Sequence, residues 1–181
     1  MISLIHAHPH PGRSRANRAM LAGVTDLPGI QVRDLYALYP DFSIDVQAEQ
    51  RSLLESRAII VQHPIYWYSM PALLKLWIDD VLAYGWAYGL GAGEGGGRLQ
   101  GKPFLWAVTA GGGGGDYRPG GSHQRSFEHY VWPMLQTARY CGMQWQEPFV
   151  LFDAQRLAAA ELAARVAAYR GAVQRLIDGV R

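Results

Sequence analysis

The chain has a single cysteine, Cys141, in 181 residues. An internal disulfide is therefore excluded, and a reducing compartment is expected. Lysine is almost as scarce. Arginine supplies 15 of the 17 basic residues, these are scattered, and the formal net charge is only +2. No basic run resembles a DNA-binding or polybasic membrane tract, so no nucleic-acid partner is expected. No apolar stretch reaches the roughly 20 residues needed to span a bilayer. Ile2 to Ala7 reads as a strand without a charged leader, which leads to the expectation of a cytoplasmic protein. Paired catalytic carboxylates, a P-loop lysine after the first loop and a Gly-x-Ser-x-Gly elbow are all missing. Hydrophobic content of 49% and charged content of 18% are ordinary. The length suits one domain over residues 1–181, able to bury a core without metals or disulfides.

The rest of the chain is organised around Ala58 to Asp80, AIIVQHPIYWYSMPALLKLWIDD. Ala58 to Gln62 is short, apolar and β-branched, the pattern of a strand buried on both faces. His63-Pro64 should end it, because proline cannot donate to a ladder. Three aromatics, Tyr66, Trp67 and Tyr68, follow Ile65. Pro71 suits the first turn of a helix with apolar residues at Leu73, Leu74, Trp77, Ile78, Val81 and Leu82. An uncharged aromatic loop is thus delivered to the carboxyl end of a buried strand, where open α/β sheets bind ligands. The plainer alternative is that these aromatics only cover the core.

Ile2 to Ala7 is the first strand. It breaks into His8-Pro9-His10-Pro11-Gly12-Arg13-Ser14-Arg15-Ala16-Asn17, with Ser14 as N-cap of a helix running to about Val24. Hydroxyl, cation, small residue and amide at Ser14, Arg15, Ala16 and Asn17 make a plausible phosphate site, the alternative being an ordinary capped helix. Ile30 to Leu35 alternates as a strand nearer a sheet edge, Tyr36 to Ser43 reads as a loop, and a helix spans about Val46 to Ser56. Gly91-x-Gly93-x-x-Gly96 formally matches a dinucleotide fingerprint. It follows a helix and precedes a strand, the reverse of what that fingerprint needs, and reads as surface loop. Pro103 to Thr109 is a buried strand running into Ala110 and the Gly111 to Gly115 run, whose backbone N–H groups can approach a ligand. A helix from Ser126 to Cys141, a strand from Gln144 to Phe152 and a helix from Arg156 to Ile177 complete the chain. The last helix has a stripe at Leu162, Val166, Tyr169, Val173 and Leu176 that reads as simple packing.

This alternation predicts an α/β fold with a five-stranded parallel sheet, order 2-1-3-4-5, and helices on both faces, the flavodoxin-like arrangement. The loops after strands one, three and four then meet at one edge. A phosphate site, an aromatic plane and glycine amides at one place describe a mononucleotide with a flat ring, and FMN fits.

HAHPHPGRSRAN, YPDFSID, QHPIYWYSMPALLKLWID, GWAYG and TAGG resemble the flavodoxin-like NAD(P)H:quinone oxidoreductases, and nearest among them the ancillary proteins of bacterial glutathione-gated potassium efflux systems. The likeness covers nearly the whole chain. It implies a homodimer with FMN near the dimer interface and NADH or NADPH as co-substrate. A quinone or other electrophile would be reduced in a ping-pong, two-electron reaction. By position it implies FMN contacts from His8, from Ser14, Arg15, Ala16 and Asn17, from Ile65, Tyr66, Trp67 and Tyr68, and from Thr109, Ala110, Gly111 and Gly112. Tyr117 and His123 match a tyrosine and a histidine that assist hydride transfer in such reductases. The resemblance also implies a membrane potassium/proton antiporter as partner, placing the protein at the inner face of the membrane. Two other readings stand beside it: a regulatory FMN-binding partner of such a transporter, and a metal enzyme using His8, His10 and His63.

Overall fold

The computed structural model describes residues 1–89 and 97–180. The Gly91-x-Gly93-x-x-Gly96 segment lies outside them. The strands are β1 (Ile2–His6), β2 (Ile30–Asp34), β3 (Ala58–Pro64), β4 (Pro103–Thr109), β5 (Gln144–Trp145) and β6 (Phe149–Leu151). The helices are α1 (Ala16–Ala22), α2 (Leu35–Leu38), α3 (Val46–Glu55), α4 (Ala72–Val81), α5 (Glu128–Tyr140) and α6 (Ala159–Gly179). The sheet is parallel throughout, in the order β2-β1-β3-β4-β5, with β6 also on β4. The expected flavodoxin-like α/β order is therefore present. Its fifth strand is realised as two short segments, divided at Gln146-Glu147-Pro148, where proline has no N–H to give the ladder.

The period-two pleat sends alternate strand residues into two separate cores. Ile5, Val61 and Trp106 face Leu53, Leu74, Trp77 and Met134 of α3, α4 and α5. Leu4, Ile60, Leu105 and Ala107 face Met20, Leu162, Tyr169 and Val173 of α1 and α6. Both faces of the sheet are thus covered, as its near-continuous apolar strands require.

Several boundaries differ from the sequence reading for local reasons. β3 runs through Pro64 instead of stopping before it. Strand alternation turns the side of Pro64 that lacks an N–H towards β1, whose last ladder contact is Ala7 N–H to Gln62 O at 3.0 Å, so no bond is lost. α1 starts at Ala16, with Ser14 Oγ accepting from Arg18 N at 3.1 Å. The Tyr36 to Ser43 loop begins as the short helix α2, capped by Asp34, whose carboxylate accepts from Ala37 N at 3.3 Å. Beneath it, buried Glu49 accepts from Arg33, from Tyr39 OH at 2.5 Å and from Trp77 Nε1 at 2.9 Å. This satisfied carboxylate ties β2, the loop after α2, α3 and α4 together.

Candidate functional site

β1, β3 and β4 are neighbours, and the chain leaves all three at the same sheet edge. There a cleft of about 580 Å³ opens between His8 to Asn17, Pro64 to Tyr66 and the turn after β4. His8, Ser14, Arg15, Ala16, Asn17, Ile65, Tyr66, Thr109 and Gly111, all predicted from the sequence, line it together. Among the described residues its cations are Arg13 and Arg15 and no carboxylate lines it, which favours an anionic ligand. Arg15 reaches across the mouth to donate to Leu157 O at 2.6 Å. His8 Nδ1 accepts from His10 N at 3.1 Å, leaving Nε2 to carry the proton of a neutral ring. Burial, and then repulsion from His6 and His10, lower its pKa and favour that neutral form.

The floor is a buried polar chain. Gln62 Nε2 donates to Asn17 O at 2.9 Å and to Asn17 Oδ1 at 2.7 Å, Asn17 Nδ2 donates to Thr109 Oγ1 at 3.3 Å, and Tyr169 OH donates to Gln62 Oε1 at 3.0 Å. Tyr169 is therefore more than the packing residue its helical stripe suggested.

The aromatic loop is a tight hairpin turn. Tyr66 and Ser69 exchange both backbone bonds, at 3.1 and 3.0 Å, and the two central residues have positive φ, 47° at Trp67 and 65° at Tyr68. Turns of this hand favour Asn-Gly, so Trp-Tyr here is strained backbone of the kind that persists at functional sites. The turn splits the predicted aromatic plane. Tyr66 stays on the cleft, Trp67 is 92% exposed, and Tyr68 turns to His123, edge to face at 5.7 Å, and to Tyr130, stacked at 5.2 Å.

Tyr117 and His123 come together beside Tyr68. Their rings stack at 4.2 Å, and Tyr130 OH donates to His123 O at 3.2 Å. Burial, with smaller effects from Tyr130, Tyr68 and Asp116, raises the Tyr117 pKa and keeps the phenol protonated. His123 Nδ1 is buried without a protein partner among the described residues. The glycine run makes room for this pair, since a Cβ on Gly112 would lie 2.6 Å from His123 Nε2. Ala110 and Gly112 do not line the cleft. Ala110 is committed on both sides, donating to Leu151 O and accepting from Ala154 N, and Gly112 O accepts from Asp153 N. These two, with Trp67 and Tyr68, are predicted cofactor contacts that the structure places outside the lining of this cleft.

The three-histidine arrangement is not built. His63 is fully buried, its Nε2 accepts from Trp106 Nε1 at 2.8 Å, and its Nδ1 lies 2.8 Å from Pro64 O. Both nitrogens are in use, and burial takes the pKa down to about 4. Sequence reasoning missed His10, Arg13 and Gln155 at the cleft and Gln62 beneath it. His10 and Arg13 stood within the predicted loop and Gln62 opened the QHPIYWYSMPALLKLWID stretch without being assigned a role, whereas Gln155 carries no motif.

A family model described as flavodoxin-like fold matches residues 1–176. The ancillary protein KefF of a glutathione-regulated potassium-efflux system from Klebsiella pneumoniae (strain 342) is 47% identical over 178 residues, covering 98% of this chain and 96% of its own. Among solved structures, general stress protein 14 from Treponema denticola, in complex with FMN, is 34% identical with a TM-score of 0.87, covering 97% of this chain and 98% of its own. An NADPH-quinone reductase from P. pentosaceus is 25% identical with a TM-score of 0.83, covering 95% and 96%. A chain described as a thermophilic tryptophan halogenase from Streptomycin violaceusniger is 40% identical with a TM-score of 0.88, covering 94% and 97%. Names this different on one fold mean that the reaction has to be argued from the site.

Proposed function

Because this chain belongs to the flavodoxin-like fold family, we propose that it is a single-domain, FMN-dependent NAD(P)H:quinone oxidoreductase, acting in the cytoplasm as a homodimer. The observation that carries this reading is the meeting of three sequence-distant loops in one cleft, whose lining combines Arg13 and Arg15 with Ile65 and Tyr66. The residues present fit FMN. Arg13, Arg15 and Ser14 are suited to the phosphate, Asn17 and Thr109 to a polar edge, and Ile65 and Tyr66 to the ring. Bound FMN supplies the redox chemistry, accepting two electrons from NADH or NADPH and passing them to a quinone or related electrophile in alternating half-reactions.

The protein supplies orientation and protons. Tyr117, held neutral by burial, and His123, packed against it, donate hydrogen bonds where negative charge develops on a substrate oxygen. Tyr68, edge to face on His123, belongs to the same tight turn as Tyr66 on the cleft. Likeness to the efflux ancillary protein supports a second role, docking on a potassium/proton antiporter at the inner face of the membrane. Among the described residues no helix is long and apolar enough to cross a membrane itself. The test is an absorbance spectrum of the purified protein, followed by NADPH without oxygen and then a quinone. Flavin bands that bleach and return support the reading, and a protein that takes up no FMN overturns it. Co-purification with an antiporter tests the second role.

A further inference from the structure

The buried chain beneath the cleft has a fixed direction. Gln62 Nε2 faces the main-chain carbonyl of Asn17, which can only accept, so the Gln62 amide cannot be turned over. The same nitrogen then fixes the Asn17 side chain with Oδ1 towards Gln62 and Nδ2 towards Thr109. At the far end, Tyr169 OH satisfies Gln62 Oε1. Thr109 Oγ1 therefore accepts, and its one proton has no acceptor in the protein among the described residues. Thr109 lines the cleft, so that proton is left for a ligand.

We propose that Tyr169 and Gln62 are positioning residues which, acting through Asn17, make the Thr109 hydroxyl an obligatory hydrogen-bond donor to an acceptor oxygen or nitrogen of the bound cofactor. The inference rests on the FMN reading above and deepens it. A directed chain of buried bonds loses its function when one link is reversed, even where packing is kept. Glutamate at position 62 is such a reversal. Its carboxylate offers oxygen where Gln62 offered N–H, so the bond to Asn17 O is lost, a cost the melting temperature registers. The Asn17 side chain turns its amide over and presents Oδ1 to Thr109, which then spends its proton inside the protein.

The experiment is fluorescence titration of FMN into apoprotein, with the melting temperature of each apoprotein as a check on folding. Thr109→Val is expected to bind FMN about tenfold more weakly and Thr109→Ser within about twofold of wild type, the effect of one hydrogen bond. Tyr169→Phe is expected to weaken FMN severalfold. Gln62→Glu should match Thr109→Val, and the double variant should be no weaker than Thr109→Val alone, because the donor it misdirects is already gone. Wild-type affinity in Thr109→Val, or full additivity in the double variant, overturns the proposal while leaving the FMN reading intact. Wild-type protein that takes up no FMN overturns both.

Discussion

Tyr117 and His123 lie face to face, ring centroids 4.2 Å apart and planes 16° from parallel, in the loop between β4 and α5. If both donate to one developing charge, they act as a unit. Tyr117→Phe and His123→Ala should each lower quinone turnover by about ten- to a hundredfold, and the double variant by little more. FMN affinity should stay within about twofold. Stopped-flow reoxidation of reduced enzyme by quinone measures this, and unchanged rates would remove the assigned role.

Gly112→Ala should reproduce the His123→Ala defect without touching that residue. The added Cβ would stand 2.6 Å from His123 Nε2, so the imidazole must leave Tyr117. The φ at Gly112 is not positive, and the melting temperature should change little. Wild-type turnover in this variant would show that the stacked geometry is dispensable.

His63 should make the fold acid-sensitive. Its folded pKa, about 4, lies below the ordinary 6.5, so the unfolded chain takes up the proton first. The stabilising contribution is fully present above pH 6.5 and is lost as pH falls towards 4, on the order of 3 kcal/mol in all. Urea unfolding across that range should show the slope in wild type and a shallower one in His63→Gln.

Arg33→Met should be severely destabilising because it strands Glu49, which is wholly buried. Loss of one partner from such a pair costs roughly 3–5 kcal/mol, far more than an exposed pair such as Lys75 with Asp79 would lose. The urea midpoints of Arg33→Met and Lys75→Met give the contrast.

Trp67→Gly separates strain from assembly. Glycine relieves the positive φ, worth about 1 kcal/mol, while removing a side chain that meets only solvent within its own chain. On the proposed homodimer, with the exposed Trp67 at its interface, the expected outcome is an unimpaired fold by circular dichroism with a shift towards monomer in sedimentation velocity. An unchanged dimer would place the interface elsewhere.

Element order, the parallel sheet and the meeting of three loops were legible because each rests on local chemistry. Apolar runs of strand length, helix-spaced stripes, and Pro and Gly at the breaks all act within a few residues. Ser14 to Asn17 could be named because hydroxyl, cation, small residue and amide open the helix after the first strand, and Thr109 because TAGG resembles the family motif. Handedness of the Tyr66 to Ser69 turn could not be read, since nothing in Ile-Tyr-Trp-Tyr-Ser requires Trp67 to face solvent and Tyr68 to face His123. Tyr169 stood in a stripe that packing already explained, and its hydroxyl found Gln62 across 107 positions of chain.

The sequence by itself therefore determined the fold class and the sheet edge at which three loops meet, through periodicity and breakers that act locally. Tertiary structure alone decided that His63 is a sealed, neutral core histidine, that Tyr117 and His123 are stacked, and that Thr109 keeps its proton for the cleft. Those outcomes depend on burial and on which atoms face each other across the fold, and neither is encoded in the spacing of residues along the chain.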